Sequence, residues 1–93
     1  MASLHPEHGA RIVLSREAVG DEGATYRVTV YAPGAVRHET RARIERGQVA
    51  IEPWDRPPQA WIATFGGRLL DGLAKKHAGG DWPRKLTRWR QER

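Results

Sequence analysis

From Thr25 to Tyr31 the chain alternates without interruption, with Tyr26, Val28 and Val30 on one side and Arg27, Thr29 and Tyr31 on the other. A period of two marks a strand with one buried and one wet face. It also constrains the neighbours, because a one-residue slip in pairing would send every side chain to the wrong side. Turn residues bracket the strand, Gly20-Asp21-Glu22-Gly23 before it and Pro33-Gly34 after it. A three-residue loop Ala32-Pro33-Gly34, with Gly34 left-handed, pairs Val30 with Val36, Val28 with His38 and Tyr26 with Thr40, and sets Arg27 opposite Glu39. A two-residue loop Arg46-Gly47 then pairs Ile44 with Val49 and Ala42 with Ile51, with Arg41 opposite Glu52. The run Arg11-Ile12-Val13-Leu14 supplies a further strand at the start. The expectation is an antiparallel meander of four strands at 10–18, 25–31, 36–45 and 48–53, closed where Pro53 removes a ladder donor.

After the meander the period changes. Asp55 and Pro57-Pro58 read as a helix start, and Trp61, Ile62, Phe65, Leu69 and Leu73 fall on one arc of a long helix within 55–80. Ala60, Ala63, Gly67, Ala74 and Ala78 form a second, small-residue stripe. Gly66-Gly67 inside the helix costs about 1 kcal/mol per glycine relative to alanine, which points to a close contact in preference to a break. Gly79-Gly80 ends the helix, with Lys75 and Lys76 in its last turn where cations suit the helix dipole. Asp81 then reads as the cap of a short C-terminal helix over 81–93, with Trp82, Leu86 and Trp89 at helical spacing and Arg84, Lys85 and Arg88 pointing away. The predicted fold is a single α+β domain of ββββαα order: a four-stranded antiparallel meander, one long helix packed on one face and a short C-terminal helix, preceded by a loose arm at 1–9.

At 93 residues there is room for one core. Cysteine is absent, which excludes a disulfide framework and thiolate chemistry. Met1 to Arg11 holds no apolar run of signal-peptide length, and nothing approaches the roughly 20 apolar residues that span a bilayer. A cytoplasmic protein with no membrane association is expected.

The formal charge of +5 is distributed unevenly. Residues 57–93 carry Arg68, Lys75, Lys76, Arg84, Lys85, Arg88, Arg90 and Arg93 against Asp71, Asp81 and Glu92, whereas cations and anions balance over residues 1–56. Such asymmetry suggests an anionic partner for one part of the molecule. The closing segment interleaves Arg84, Lys85, Arg88 and Arg90 with Trp82 and Trp89, a composition that suits phosphates and unpaired bases. The same spacing equally suits two tryptophans that dock the last helix, and both readings stand at this level. The outward face of the meander carries Arg11, Arg27, Arg37, Arg41 and Arg43 with Thr29, Tyr31, Glu39, Glu45 and Glu52, the residues of a nucleic-acid platform or of a salt-bridged solvated face.

Catalytic signals are lacking. His5 and His8 complete no coordination set, His38 points into the predicted core as a hydrogen-bonded structural histidine, and no strand-to-helix glycine loop of phosphate-binding type occurs. No enzyme activity, no metal and no small-molecule cofactor is expected. The order of four antiparallel strands followed by a helix resembles, in architecture only, the repeat unit of the whirly and PUR-type single-strand binders. No motif of theirs is matched by residues here, so the resemblance assigns no site, and a chain with one such unit would extend a platform by dimerising. The reading is a small basic nucleic-acid-binding protein, sequence-nonspecific and inclined to single strands, with Arg84, Lys85, Arg88, Arg90, Trp89, Lys75, Lys76, Arg37, Arg41, Arg43 and Tyr31 as contacts. The alternative is a protein-interaction or homodimerisation module without nucleic acid.

Overall fold

The computed structural model describes Pro6 and residues 8–91. Most of the predicted arm, at 1–5 and 7, lies outside the described residues. The fold is α+β. Strands β1 (Ala10–Gly20), β2 (Gly23–Ala32), β3 (Val36–Glu45) and β4 (Gln48–Ile51) form the meander, helix α1 (Ala60–Lys76) follows, and a further strand β5 (Lys85–Arg90) closes the described chain. All five strands make one antiparallel sheet in the order β4-β3-β2-β1-β5.

The predicted C-terminal helix is therefore a strand. A helix confined to 81–93 is too short to sustain itself in water without strong packing. The β1 edge of the meander, by contrast, offers a row of unpaired N–H and C=O groups that an extended segment satisfies. Leu86 pairs with Leu14 on the helix side, and the residues between alternate outward, with Thr87 opposite Val13 and Trp89 opposite Arg11. Asp81 (φ 62°) and Gly80 (φ 105°) turn the chain where a helix cap was expected. Trp82 then drops into the core at 6% exposure, its ring 6.0 Å from that of His77. The turn is held from beneath: Arg16 Nη1 donates to the Trp82 carbonyl and the Tyr26 hydroxyl to the Pro83 carbonyl, both at 2.7 Å. Burial pushes the Tyr26 phenol above its ordinary pKa, against the opposing effect of Arg16.

The second hairpin has the expected register, with Ile44 opposite Val49 and Ala42 opposite Ile51, around Arg46 (φ 53°) and Gly47 (φ 76°). The first does not. Its loop is Pro33-Gly34-Ala35, with Gly34 at φ 76° and Ala35 at φ 62°, so Ala32 faces Val36, Val30 faces His38 and Val28 faces Thr40. The pairing has moved by two residues, an even step that leaves each side chain on its predicted face. It changes charge pairing, because Arg27 now stands opposite Arg41 and Glu39 opposite Thr29.

The core lies between the sheet and α1: Ile12, Leu14, Tyr26, Val28, Val30 and Ile44 meet Ile62, Leu70, Leu73 and Ala74. Compared with the predicted arc, the helix is rolled about its axis. Trp61, Phe65 and Leu69 are half-buried at its rim, while Gly66 faces the sheet, where an added Cβ would stand 3.7 Å from Ile12 Cδ1. That is ordinary van der Waals contact and Gly67 meets nothing, so neither glycine is required by the close contact expected of them, and α1 runs unbroken through both. The small-residue stripe is divided by this roll, with Ala74 buried and Ala60 and Ala78 exposed.

Asp55 does not cap α1, whose N-cap residue Gln59 makes no side-chain cap bond. Its carboxylate accepts instead from the backbone N–H groups of Glu39 (2.9 Å) and Arg56 (2.6 Å), which hold its pKa below the ordinary value, Glu39 chiefly. Thr40 Oγ1 donates to the Glu52 carbonyl, and buried His38 donates from Nδ1 to the Arg56 carbonyl, each at 2.7 Å. The segment between β4 and α1 is thereby stitched along β3, and His38 has the structural role expected of it.

Gly23 opens β2 so close to β3 that a Cβ would run into the Ile44 carbonyl, backbone against side chain. Gly23→Ala is expected to cost about 1–3 kcal/mol by forcing the strands apart. The check is the midpoint of urea unfolding, and an unchanged midpoint would mean that these strands are not packed so tightly.

Candidate nucleic-acid interface

Among the described residues, one face of the sheet is covered by α1 and the other is left open. Because directly paired residues share a face, the register arranges the open side into transverse rows. In one row Arg37 (β3) is opposite Tyr31 (β2), Tyr31 is opposite Arg11 (β1) and Arg11 is opposite Trp89 (β5). Cation, ring, cation and ring thus alternate across four strands, over about 14 Å at the usual strand spacing of about 4.8 Å. Trp89 is 51% exposed, and its indole Nε1 donates to the His8 carbonyl at 2.9 Å, which anchors the ring by one edge. Arg11 stands between the two rings.

The next row, Glu39, Thr29, Val13 and Thr87, is smaller and mostly neutral, and Thr29 is only 7% exposed. Beyond it lie Arg41, Arg27, Ser15 and Lys85. Here β1 carries a bulge between Arg16 and Ala18, and the inserted Glu17 reaches Arg41 Nε at 2.6 Å and Arg27 Nη2 at 3.3 Å. Glu17 thereby neutralises two guanidinium groups that would otherwise face each other, and its hydrogen bond raises the already high pKa of Arg41. Arg37 pairs with Glu39 at 3.4 Å. Among the described residues, Arg11 and Lys85 make no ion pair.

The residues singled out from the sequence divide among three regions. Tyr31, Arg37, Arg41, Arg43, Lys85 and Trp89 come together on the open face. Arg88 and Arg90 are paired with Ile12 and Ala10 and so lie on the helix side of β5, with the Arg90 guanidinium 5.2 Å from the centre of the Phe65 ring. Lys75 and Lys76 end α1, and Arg84 precedes β5 with its carbonyl accepting from Arg16 N at 2.8 Å. The expected basic helical face over 81–93 is thus split between two sides of the sheet, since alternate residues of a strand point oppositely. Arg11 belongs to the site but lay outside the contact set read from the sequence. The alternation Lys85-x-Thr87-x-Trp89 marks one face of a strand, and only the pairing of that strand with β1 sets Trp89 beside Arg11.

Among the described residues no group of three or more His, Cys, Asp or Glu side chains is placed to hold a metal ion, and no helix is long and apolar enough to cross a membrane. Comparison of the chain with protein-family models, with curated proteins and with solved structures gives no match.

Proposed function

We propose that the protein binds single-stranded nucleic acid through the open face of its sheet, without sequence specificity. The observation that carries the reading is the row Arg37, Tyr31, Arg11 and Trp89, in which rings and cations alternate across four strands. An exposed indole offers a π-face to any unpaired base, worth about 1–3 kcal/mol per stacked base, and it accepts all bases because each has such a face. Paired bases in a duplex are already stacked inside and cannot use it. Arg11 and Lys85 are placed for phosphates, whose neutralisation releases counterions. Nothing in this activity calls for a catalytic step, metal or cofactor.

A homodimerisation module is the second reading, and the observation favouring it is the β4 edge: Gln48–Ile51 is uncharged, and Ile51 is 43% exposed. The opposite edge, β5, carries Lys85, Arg88 and Arg90, which oppose pairing with a second copy of itself.

The test is a titration of a labelled single-stranded oligonucleotide and of a duplex of equal length. Single strands should bind more tightly, with log affinity falling by about 0.7 per neutralised phosphate for each tenfold rise in salt. No binding at about 50 mM salt, where electrostatic affinity is favoured, would remove the reading. Equal affinity for the duplex would remove the role given to Trp89 and Tyr31.

A further inference from the structure

Arg27 and Arg41 are directly paired across β2 and β3 on the open face. Two like charges in that position repel, and an anion between them offsets the repulsion. The anion is Glu17, which the β1 bulge inserts as one extra residue and aims at both guanidiniums, at 3.3 Å and 2.6 Å. Bulges commonly re-aim a side chain in this way. All three side chains remain accessible, Arg27 and Arg41 at 49% and 50% exposure and Glu17 at 27%. Lys85 extends the same row on β5, with Ser15 between. The other carboxylates facing the pair are Glu39, 3.9 Å from Arg27, and Glu52, which acts on Arg41 through its charge.

Resting on the nucleic-acid reading of this face, we propose that Arg27 and Arg41 form a second phosphate subsite, which Glu17 occupies in the free protein. A carboxylate bridging two guanidiniums stands where a backbone phosphate would, since both are anions that accept charge-assisted hydrogen bonds from Arg. Exposed ion pairs are weak enough for a ligand to exchange. Glu17 is then an internal competitor: binding at this subsite must displace it, and the phosphate gains little over the carboxylate it replaces.

Three variants test this on a labelled single-stranded oligonucleotide. Glu17→Gln removes the competing charge, and affinity at low salt should rise about three- to tenfold, with the salt slope steeper by about 0.7 for the one phosphate the subsite adds. Arg27→Gln with Arg41→Gln in the otherwise unchanged protein leaves the Glu17 carboxylate without its partners and should lower affinity through the general field, while the salt slope, which counts the phosphates contacted, stays nearly unchanged because these arginines hold none in that state. The same pair in the Glu17→Gln background should abolish the gain. If the unchanged protein binds but Glu17→Gln shifts neither affinity nor slope, the subsite proposal is wrong. It is equally overturned if the Arg27/Arg41 variant flattens the salt slope by about 0.7, since those arginines would then already hold a phosphate. Should Glu17→Gln fail to fold, the salt slope of the Arg27/Arg41 variant decides on its own. Absence of binding by the unchanged protein would instead count against the platform itself.

Discussion

Leu70→Ala should lower the stability of this domain by about 2–5 kcal/mol, the range for a leucine truncated in a packed interior. Leu70 is 1% exposed and belongs to the part of α1 that meets the sheet. Phe65, half-buried at the rim with Arg90 over its ring, should cost less on truncation, about 1–2 kcal/mol, because apolar stabilisation follows the area removed from water. The order of the two losses in urea unfolding reports the roll of the helix. Greater damage from Phe65→Ala than from Leu70→Ala would restore the orientation that the helical wheel suggested and contradict the packing over Ile12.

That roll illustrates what the sequence reveals and what it conceals. A wheel weights positions by side-chain size, and it therefore turned Trp61 and Phe65 inward. The helix instead turns Gly66 toward the sheet and seats Ile62, Leu70 and Leu73 in the core. Strand positions and faces of the meander were legible because period-two alternation is local. The pairing partners in the first hairpin were legible only to within an even step, since a loop shifted by one residue keeps every face and left-handed Ala35 is an uncommon choice. The C-terminal strand was hidden by competition between two periods: Trp82, Leu86 and Trp89 have helical spacing, while Lys85 to Arg90 alternates. The deciding factor, an unpaired β1 edge about 70 residues away in the chain, is nonlocal.

The candidate interface was partly legible for the same reason. Arg37, Arg41, Arg43 and Tyr31 follow from the alternation of β2 and β3. The excess charge of the C-terminal segment is not a single patch, however. Lys85 and Trp89 join the open face, and Arg88 and Arg90 lie across the sheet. Only the strand register brings Trp89 next to Arg11, and no local signal links residues so far apart.

This division provides the second large effect expected of the protein. Arg11→Gln with Trp89→Ala removes one cation and one stacking ring from the row, and affinity for a single-stranded oligonucleotide should fall roughly 10- to 100-fold, as loss of a stacked base and a phosphate contact implies. Arg88→Gln with Arg90→Gln removes two cations, more charge than the first variant, but from the helix side. Its effect should be confined to the general field and stay within about threefold. Thermal unfolding of both variants checks that the loss is one of contact, since Trp89 also bonds His8 and Arg90 covers Phe65.

The most direct measurement is therefore the ratio of these two affinities at one salt concentration, on one oligonucleotide. A row variant that binds at least about threefold more weakly than the helix-side variant is the result expected if the open face is the interface, because stacking there adds to charge. Equal weakening, or a greater loss from Arg88 and Arg90, would mean that charge alone governs binding or that the helix side is the interface, and would contradict the account.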